Sequence, residues 1–457
     1  MVRKKLVYYL EQNNIFNSNQ HGFRSNRSCL TQLLFHTNSI INNLISNYSV
    51  DAFYIDYAKA FDKVDFSILL QKLKHYGITQ EYISWIRSFL FGRKQSVSVN
   101  NVSSYSADVV SGVPQGSVLA PLLFIIFIND LSHHVTHSTL LTFADDTKLV
   151  YPINTTIDTK YLQHDIDSII TWSTNNNMKL NKNKFELVTH RIKKEDLNIT
   201  FFKHLPFQSE FNQYQIENDT FVTPSYSVKD LGVTICSDLN WENHISIITK
   251  AAIKTCAWIL NIFHSRDKQV LVTLFNSLVR SKLEYCCELW DPVQINLINK
   301  LEQVQRNFTR KIKGMKDYSY WERLQVLQIK SLQRRREMQI VILVWKLKNQ
   351  YIPNDIKLEF VKNQRNHKIK AYLKPLPKVK GKLLSSFEQS FIIKAAKLWN
   401  FLPPKLTEIS DFSCFKAKLV KYLEFIPDEP PVLGYHHNNR NSIREYKPVL
   451  YETVFGS

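Results

Sequence analysis

The stretch Leu140–Tyr151 reads LLTFADDTKLVY. Two apolar, β-prone arms flank Asp145-Asp146, so the arms read as antiparallel strands with the aspartates at or beside the tight turn between them. Two carboxylates at a hairpin tip repel each other unless a cation lies between them. A hard divalent cation with oxygen ligands, Mg2+ first, is the natural occupant. Adjacent acids in turns are usually only solvated, so the weight of this reading depends on what precedes it in the chain.

Upstream, AFYID (Ala52–Asp56) reads as a strand ending on a carboxylate. Period-two alternation puts Ala52, Tyr54 and Asp56 on one face and Phe53 and Ile55 on the other. Asp65 is placed to cap a helix with the apolar stripe Phe66, Leu69, Leu70 and Leu73, closed by Gly77. A second helix is expected from about residue 80 to 91, ending at Gly92, and Gln95–Val99 reads as a strand. SGVPQGSVLAPLLFIIFINDL (Ser111–Leu131) is a Gly/Pro loop feeding a core helix. Its glycines let the backbone approach a ligand closely, and Pro121 is tolerated early in the helix. Nearer the start, QHGFRSNRSC (Gln20–Cys29) presents Arg24 and Arg27 beside Gly22, an arrangement suited to a phosphate. A helix with Leu30, Leu33, Leu34, Ile41, Leu44 and Ile45 follows.

The bulk numbers set the class. With 457 residues and 44% apolar side chains, the chain is a folded protein of several domains. A formal charge of +19 points to a polyanionic partner, nucleic acid first. The six cysteines, at 29, 236, 256, 286, 287 and 414, form no C-x-x-C pair, and their low number suits a reducing compartment. No secretory leader is visible. The run Val118–Ile128 is far shorter than the ~20 residues of a membrane helix. An intracellular protein of the nucleus or cytoplasm, with no membrane partner, is expected.

Beyond the hairpin, NMKLNKNKFELVTH (Asn177–His190) is a turn into a strand, 191–225 has no clear period, and KDLGVTICSDLNW (Lys229–Trp241) reads as strand, turn and strand. From Glu242 onward helices are expected over about 243–263, 268–289 and 320–349, the last with Arg334-Arg335-Arg336. Residues 301–400 carry 23 Lys and Arg against 7 Asp and Glu, so most of the excess positive charge lies there; a nucleic-acid contact is expected of this region. Residues 426–457 read as a loose tail.

Laying the hairpin beside the first strand would bring Asp56, Asp145 and Asp146 together, the number of carboxylates a two-metal phosphoryl-transfer centre needs from rigid elements. The ordered set YIDYAKAFDKVD, GVPQGSVLAPLLFIIFINDL, FADDTKLV, NMKLNKNK and KDLGVTI resembles the palm motifs of reverse transcriptases, and more narrowly those of non-LTR (LINE-type, jockey- and CR1-like) retrotransposons; QHGFRSNRSC resembles their fingers motif. The likeness is close over about residues 10–260 and weaker through LVRSKLEYCCELWDP and LEQVQRNFTRKIKG.

The resemblance implies an α+β fold: a right-hand palm with partial fingers, an antiparallel sheet packed with helices, over 1–240; a helical thumb-like region over 241–315; a basic helical region over 316–425; and a flexible tail over 426–457. It implies that Asp56, Asp145 and Asp146 bind metal and are catalytic, that Phe61 excludes a ribose 2′-hydroxyl, and that Gln115 and Gly116 line the nucleotide and template. Lys184, with Lys182 and Lys179 as alternatives, matches a lysine that protonates pyrophosphate. Leu231-Gly232-Val233 resembles a primer-grip hairpin, whereas Asp62 reads as structural. The cofactor implied is Mg2+, two ions, with Mn2+ as a substitute, and the partners are an RNA template, a DNA primer or target, and dNTP. Members of the family usually carry an endonuclease domain and further fingers motifs ahead of the GFR loop, so an N-terminally truncated form is expected. The alternative expectation is an inactive or domesticated copy acting only as a nucleic-acid-binding protein. A group II intron maturase would share the palm, but the C-terminal likeness is to LINE-type sequence.

Overall fold

A computed structural model describes residues 1–191, 213–217, 220–362, 369–371, 381–430 and 441–456. The period-less stretch expected over 191–225 lies largely outside them. The described chain forms two compact units, one of residues 1–32, 46–191 and 213–231, the other of 33–45 and 232–456. The segments expected as separate regions, 241–315 and 316–425, therefore belong to one unit.

The first two helices of the chain are α1 (Val2–Gln12) and α2 (Cys29–Ile45). The first unit is α+β. Its sheet contains β1 (Ser49–Ile55), β2 (Thr139–Phe143), β3 (Asp146–Ile153) and β4 (Glu186–His190), ordered β2-β3-β1-β4 and antiparallel throughout. β1 is rich in β-branched and aromatic residues (SVDAFYI) and is buried on both faces, as a central strand should be. Phe53, Ile55, Leu140, Leu149 and Leu187 share a core with α3 (Phe66–His75), α4 (Gln80–Leu90), α5 (Ala120–Ile128) and α6 (Thr156–Asn175). The opposite face is left to Tyr54, Lys148 and Glu186, aligned across three strands.

Local signals account for the helix ends. Asp65 caps α3 by accepting from Ile68 N at 3.0 Å. Gly77, at φ +77°, terminates it. α5 is apolar all round and buried along its length, with Pro121 in its first turn. The strand expected over Gln95–Val99 is broken: Lys94–Gln95 pairs with Ala107–Asp108, and Ser98–Val99 with Val102–Ser103.

The second unit is mostly helical. Its α7 (Glu242–Ile262) is, among the described residues, the one helix long and apolar enough to cross a membrane by length and composition, with 21 residues; Ile245, Ala252, Cys256 and Ile259 on it are buried in the protein. The helix expected over 268–289 is interrupted by a π-helical turn at Phe275–Val279 and by Cys286 at φ +50°. That expected over 320–349 is two helices, Tyr320–Val326 and α8 (Leu332–Lys348), because Ser331 caps the second by accepting from Arg334 N.

One expectation narrows here and another fails. The nucleic-acid contact expected of residues 301–400 does not draw on Arg334 or Arg336. Arg334 and Arg336 are fully buried: Arg334 donates to the carbonyls of Ile426 and Pro427, Arg336 Nε donates to Asp291 Oδ1 at 2.6 Å, and Arg335 pairs with Glu284. Composition counts such charges without knowing that one helix turns them inward. The tail is also not loose where it is described. Asn441, Ser442 and Ile443 are buried, Asn441 N donates to Gln333 Oε1, and Ile443 N donates to Glu337 Oε2.

Candidate active site

Strand register brings the distant acids together. β1 and β3 pair Ile55 with Thr147, so the next opposed positions are Asp56 and Asp146. Opposed residues of antiparallel strands lie about 4.5–5.5 Å apart at Cα. β2 and β3 close with Phe143 opposite Asp146, leaving Ala144-Asp145 as a two-residue turn. Ala144 sits at φ +55°, the left-handed sense that suits tight hairpins and costs an L-residue roughly 1–2 kcal/mol. Asp145 is thus in the turn and Asp146 opens β3.

The electrostatics follow. The Asp146 carboxyl is pushed up to about 6, by burial first and then by the charges of Asp145 and Asp230. Asp145 is also raised, by burial and by Asp56. Asp56 and Asp146 open on a polar recess shared with Lys148, Lys184, Glu186 and Asp230. Among the described residues no three His, Cys, Asp or Glu side chains close into a preformed metal cage. The donors are nevertheless all hard oxygens held in mutual repulsion. That suits a divalent cation which keeps part of its shell for water and phosphate.

β1 and β4 pair Tyr54 with Glu186, and continuing that register places position 184 beside Asp56. Asn181 N donates to Asp56 O and Ala58 N to Lys179 O, docking this turn on the end of β1. Lys184 Nζ reaches Asp56 Oδ2 at 3.5 Å. Lys182 is instead ion-paired with Glu217.

Phe61 lies on a short 3-10 helix, Ala60–Lys63, half-buried. Its ring stacks on Phe124 at 4.3 Å and meets Phe23 edge-on at 6.1 Å. The Gly/Pro loop is stitched to the same helix: Val113 N donates to Phe61 O, Ser111 Oγ to Asp62 O, and Gln115 Nε2 to Asp62 Oδ1 at 2.9 Å. Gly112 is at φ +87°, and a Cβ there would lie 2.7 Å from the Asp62 backbone, so only glycine allows this seam. Asp62, expected to be structural, orients Gln115. Gly116 is exposed with open space where a Cβ would project.

Arg24 and Arg27, expected to suit a phosphate, each have a partner within the protein. Arg24 grips Glu11 through two nitrogens at 3.0 and 2.6 Å, donates to Asn17 O, and lies over the Phe16 ring. It anchors the loop to α1 (Val2–Gln12). Arg27 Nη1 contacts His21 Nε2 at 3.0 Å. A bidentate carboxylate is a better partner for a guanidinium than water, and Glu11 lies too far back in sequence for the motif to reveal it.

Sequence reasoning missed two features. Lys148 and Asp230 form an ion pair with side chains only 3% and 5% exposed, lining the same recess as Asp56 and Asp146; a lysine inside an apolar strand was the available signal. Gln20 is buried and its Oε1 accepts from Ala144 N in the turn that carries Asp145 at 3.0 Å.

The family model for reverse transcriptase (RNA-dependent DNA polymerase) matches residues 1–235, just over half of the chain, and the chain belongs to that family. Membership implies dependence on a divalent metal. The chain is 23% identical over 401 residues to the probable RNA-directed DNA polymerase from transposon X-element of Drosophila melanogaster, covering 85% of this chain and 39% of that protein. It is 26% identical over 307 residues to the RNA-directed DNA polymerase from mobile element jockey of the same species, covering 65% and 32%. The chain thus spans 32% to 39% of these relatives' lengths. An apo telomerase structure from Candida tropicalis superimposes with a TM-score of 0.41 at 11% identity, over 71% of this chain and 53% of that one.

Proposed function

We propose that the chain is an RNA-directed DNA polymerase of a non-LTR retrotransposon, extending a DNA primer on an RNA template with dNTP. The observation that carries the reading is the β1–β3 register, which opposes Asp56 and Asp146 with Asp145 in the adjoining turn. These three carboxylates would hold two Mg2+ ions, or Mn2+ in their place, which when bound make the primer 3′-hydroxyl a better nucleophile and offset charge on the leaving pyrophosphate. The chain's own residues do the rest. Lys184 Nζ, beside Asp56, gives a proton to the departing pyrophosphate oxygen. The Phe61 ring closes the space a ribose 2′-hydroxyl would need, which is selection by exclusion. Gln115, held by Asp62, and the open backbone at Gly116 border the nucleotide and template. In this reading the first unit serves as palm with part of the fingers, and 241–315 as thumb. The protein works inside the cell, in nucleus or cytoplasm, where its substrates are.

Primer extension on an RNA template with dNTP and Mg2+ tests the reading. Incorporation should depend on Asp145 and be abolished in Asp145→Asn. RNA binding that persists in Asp145→Asn, with no incorporation by the parent chain at any Mg2+ or Mn2+ concentration, would instead establish a binding protein without polymerase activity.

A further inference from the structure

We infer that Gln20 is a positioning residue for the catalytic turn, acting on Asp145 through the backbone of Ala144; the inference rests on the polymerase reading of that turn. In a two-residue hairpin the N–H of the first turn residue falls outside the strand ladder. Ala144 is that residue, and it is buried, so its N–H needs a partner from elsewhere. Gln20 Oε1 supplies it at 3.0 Å and also accepts from Gly22 N at 2.7 Å. One buried amide oxygen, 3% exposed as a residue, thereby fastens two backbone segments.

The surrounding chain is built to allow this. His21 N donates to Thr142 O and Thr142 N to Asn19 O, so a parallel β-bridge ties Gln20 to Thr142, two residues before Ala144. A Cβ at Gly22 would lie 2.3 Å from Ala144 N, so no side chain fits there. Ala144 stays at φ +55°, a conformation an alanine leaves unless its surroundings hold it. Asp145 follows directly, and its carboxylate inherits the setting of that peptide. The QHGF stretch thus serves the carboxylates from behind.

The test compares the full chain with Gln20→Met, which keeps volume and removes the acceptor, and Gln20→Glu, which restores an acceptor oxygen. For Gln20→Met, misplacement of the carboxylate should lower kcat per titrated active site by about 10²-fold. Mn2+ affinity, read from water-proton relaxation with Asp145→Asn as the blank, should weaken by roughly 10-fold. Amide exchange in the peptide spanning 142–147 should rise, template–primer affinity should stay as in the parent, and Gln20→Glu should recover most of each loss. If Gln20→Met lowers only the melting temperature, leaving per-site kcat, Mn2+ affinity and local exchange within twofold of the parent, the inference is overturned. Should Gln20→Met not fold, Gln20→Asn, which withdraws the oxygen by one methylene, is held to the same measurements. If the parent chain incorporates no dNTP, the polymerase reading fails while Mn2+ affinity and amide exchange still decide the role of Gln20.

Discussion

Lys184 Nζ lies 3.5 Å from Asp56 Oδ2, and the lysine side chain remains 66% exposed. The contact is a resting place rather than a buried lock, so the ammonium can swing to a leaving group arriving beside Asp56. Lys184→Met is expected to lower the maximal rate of nucleotide addition by roughly 10²-fold with dNTP KM little changed. Single-turnover incorporation checks it; an unchanged rate would remove Lys184 from the chemistry.

The burial and mutual repulsion that ready the carboxylates for a cation also cost stability. Asp146 is raised to about 6, above its unfolded value near 3.9. Its folded form therefore prefers the proton, and stability is lost as pH rises from about 4 through 6. Without divalent cation, Asp146→Asn should be the more stable protein at pH 7.5, by roughly 1 kcal/mol after allowing for solvent screening. The difference should vanish below about pH 4. Denaturant melts across that range, with and without Mg2+, measure it; added Mg2+ should stabilise the parent and not the variant.

Phe61 is held between Phe124 and Phe23 with part of its ring open. Phe61→Ala should raise the efficiency of ribonucleotide over deoxynucleotide incorporation by about 10–100-fold, the range one lost steric contact supplies. Relative kcat/KM for dNTP and NTP is the measurement. Equal discrimination in parent and variant would make Phe61 a core ring only.

Asp165 on α6 gathers the loop that leads into β2, accepting from the backbone of Thr136, His137 and Ser138 at 3.0, 3.1 and 2.6 Å. Burial would raise its carboxyl, but these donors outweigh it and hold it below the usual range. Its contribution is present above about pH 4 and is lost as pH falls through the lower folded value. Asp165→Asn should cost about 2–4 kcal/mol at pH 7, a gap that narrows in acid, as urea melts at pH 7 and pH 3 will show.

Arg336 is wholly buried against Asp291 in the helical unit. Arg336→Met should cut stability by about 3–5 kcal/mol, because it leaves Asp291 unpaired. The salt dependence of RNA binding by the folded fraction should be that of the parent. A shallower salt slope would return this arginine to the nucleic-acid surface.

The three carboxylates and the strands and helix ends around them were legible in the residues alone. Period-two alternation in AFYID put Tyr54 and Asp56 on the polar face, the apolar arms around Asp145-Asp146 defined the hairpin, and Asp65, Gly77 and Pro121 marked helix ends. Such signals are local: each depends on neighbours within a turn or a pleat. Which long-range partner each charge finds emerges from the folded chain. Arg24 went to Glu11, Arg334 and Arg336 into a core, Lys148 to Asp230, and Gln20 to the amide of Ala144 more than a hundred residues away. Hydrogen bonds and ion pairs are short-ranged and specific to geometry, so composition and motif supply the groups while the packed chain assigns their partners.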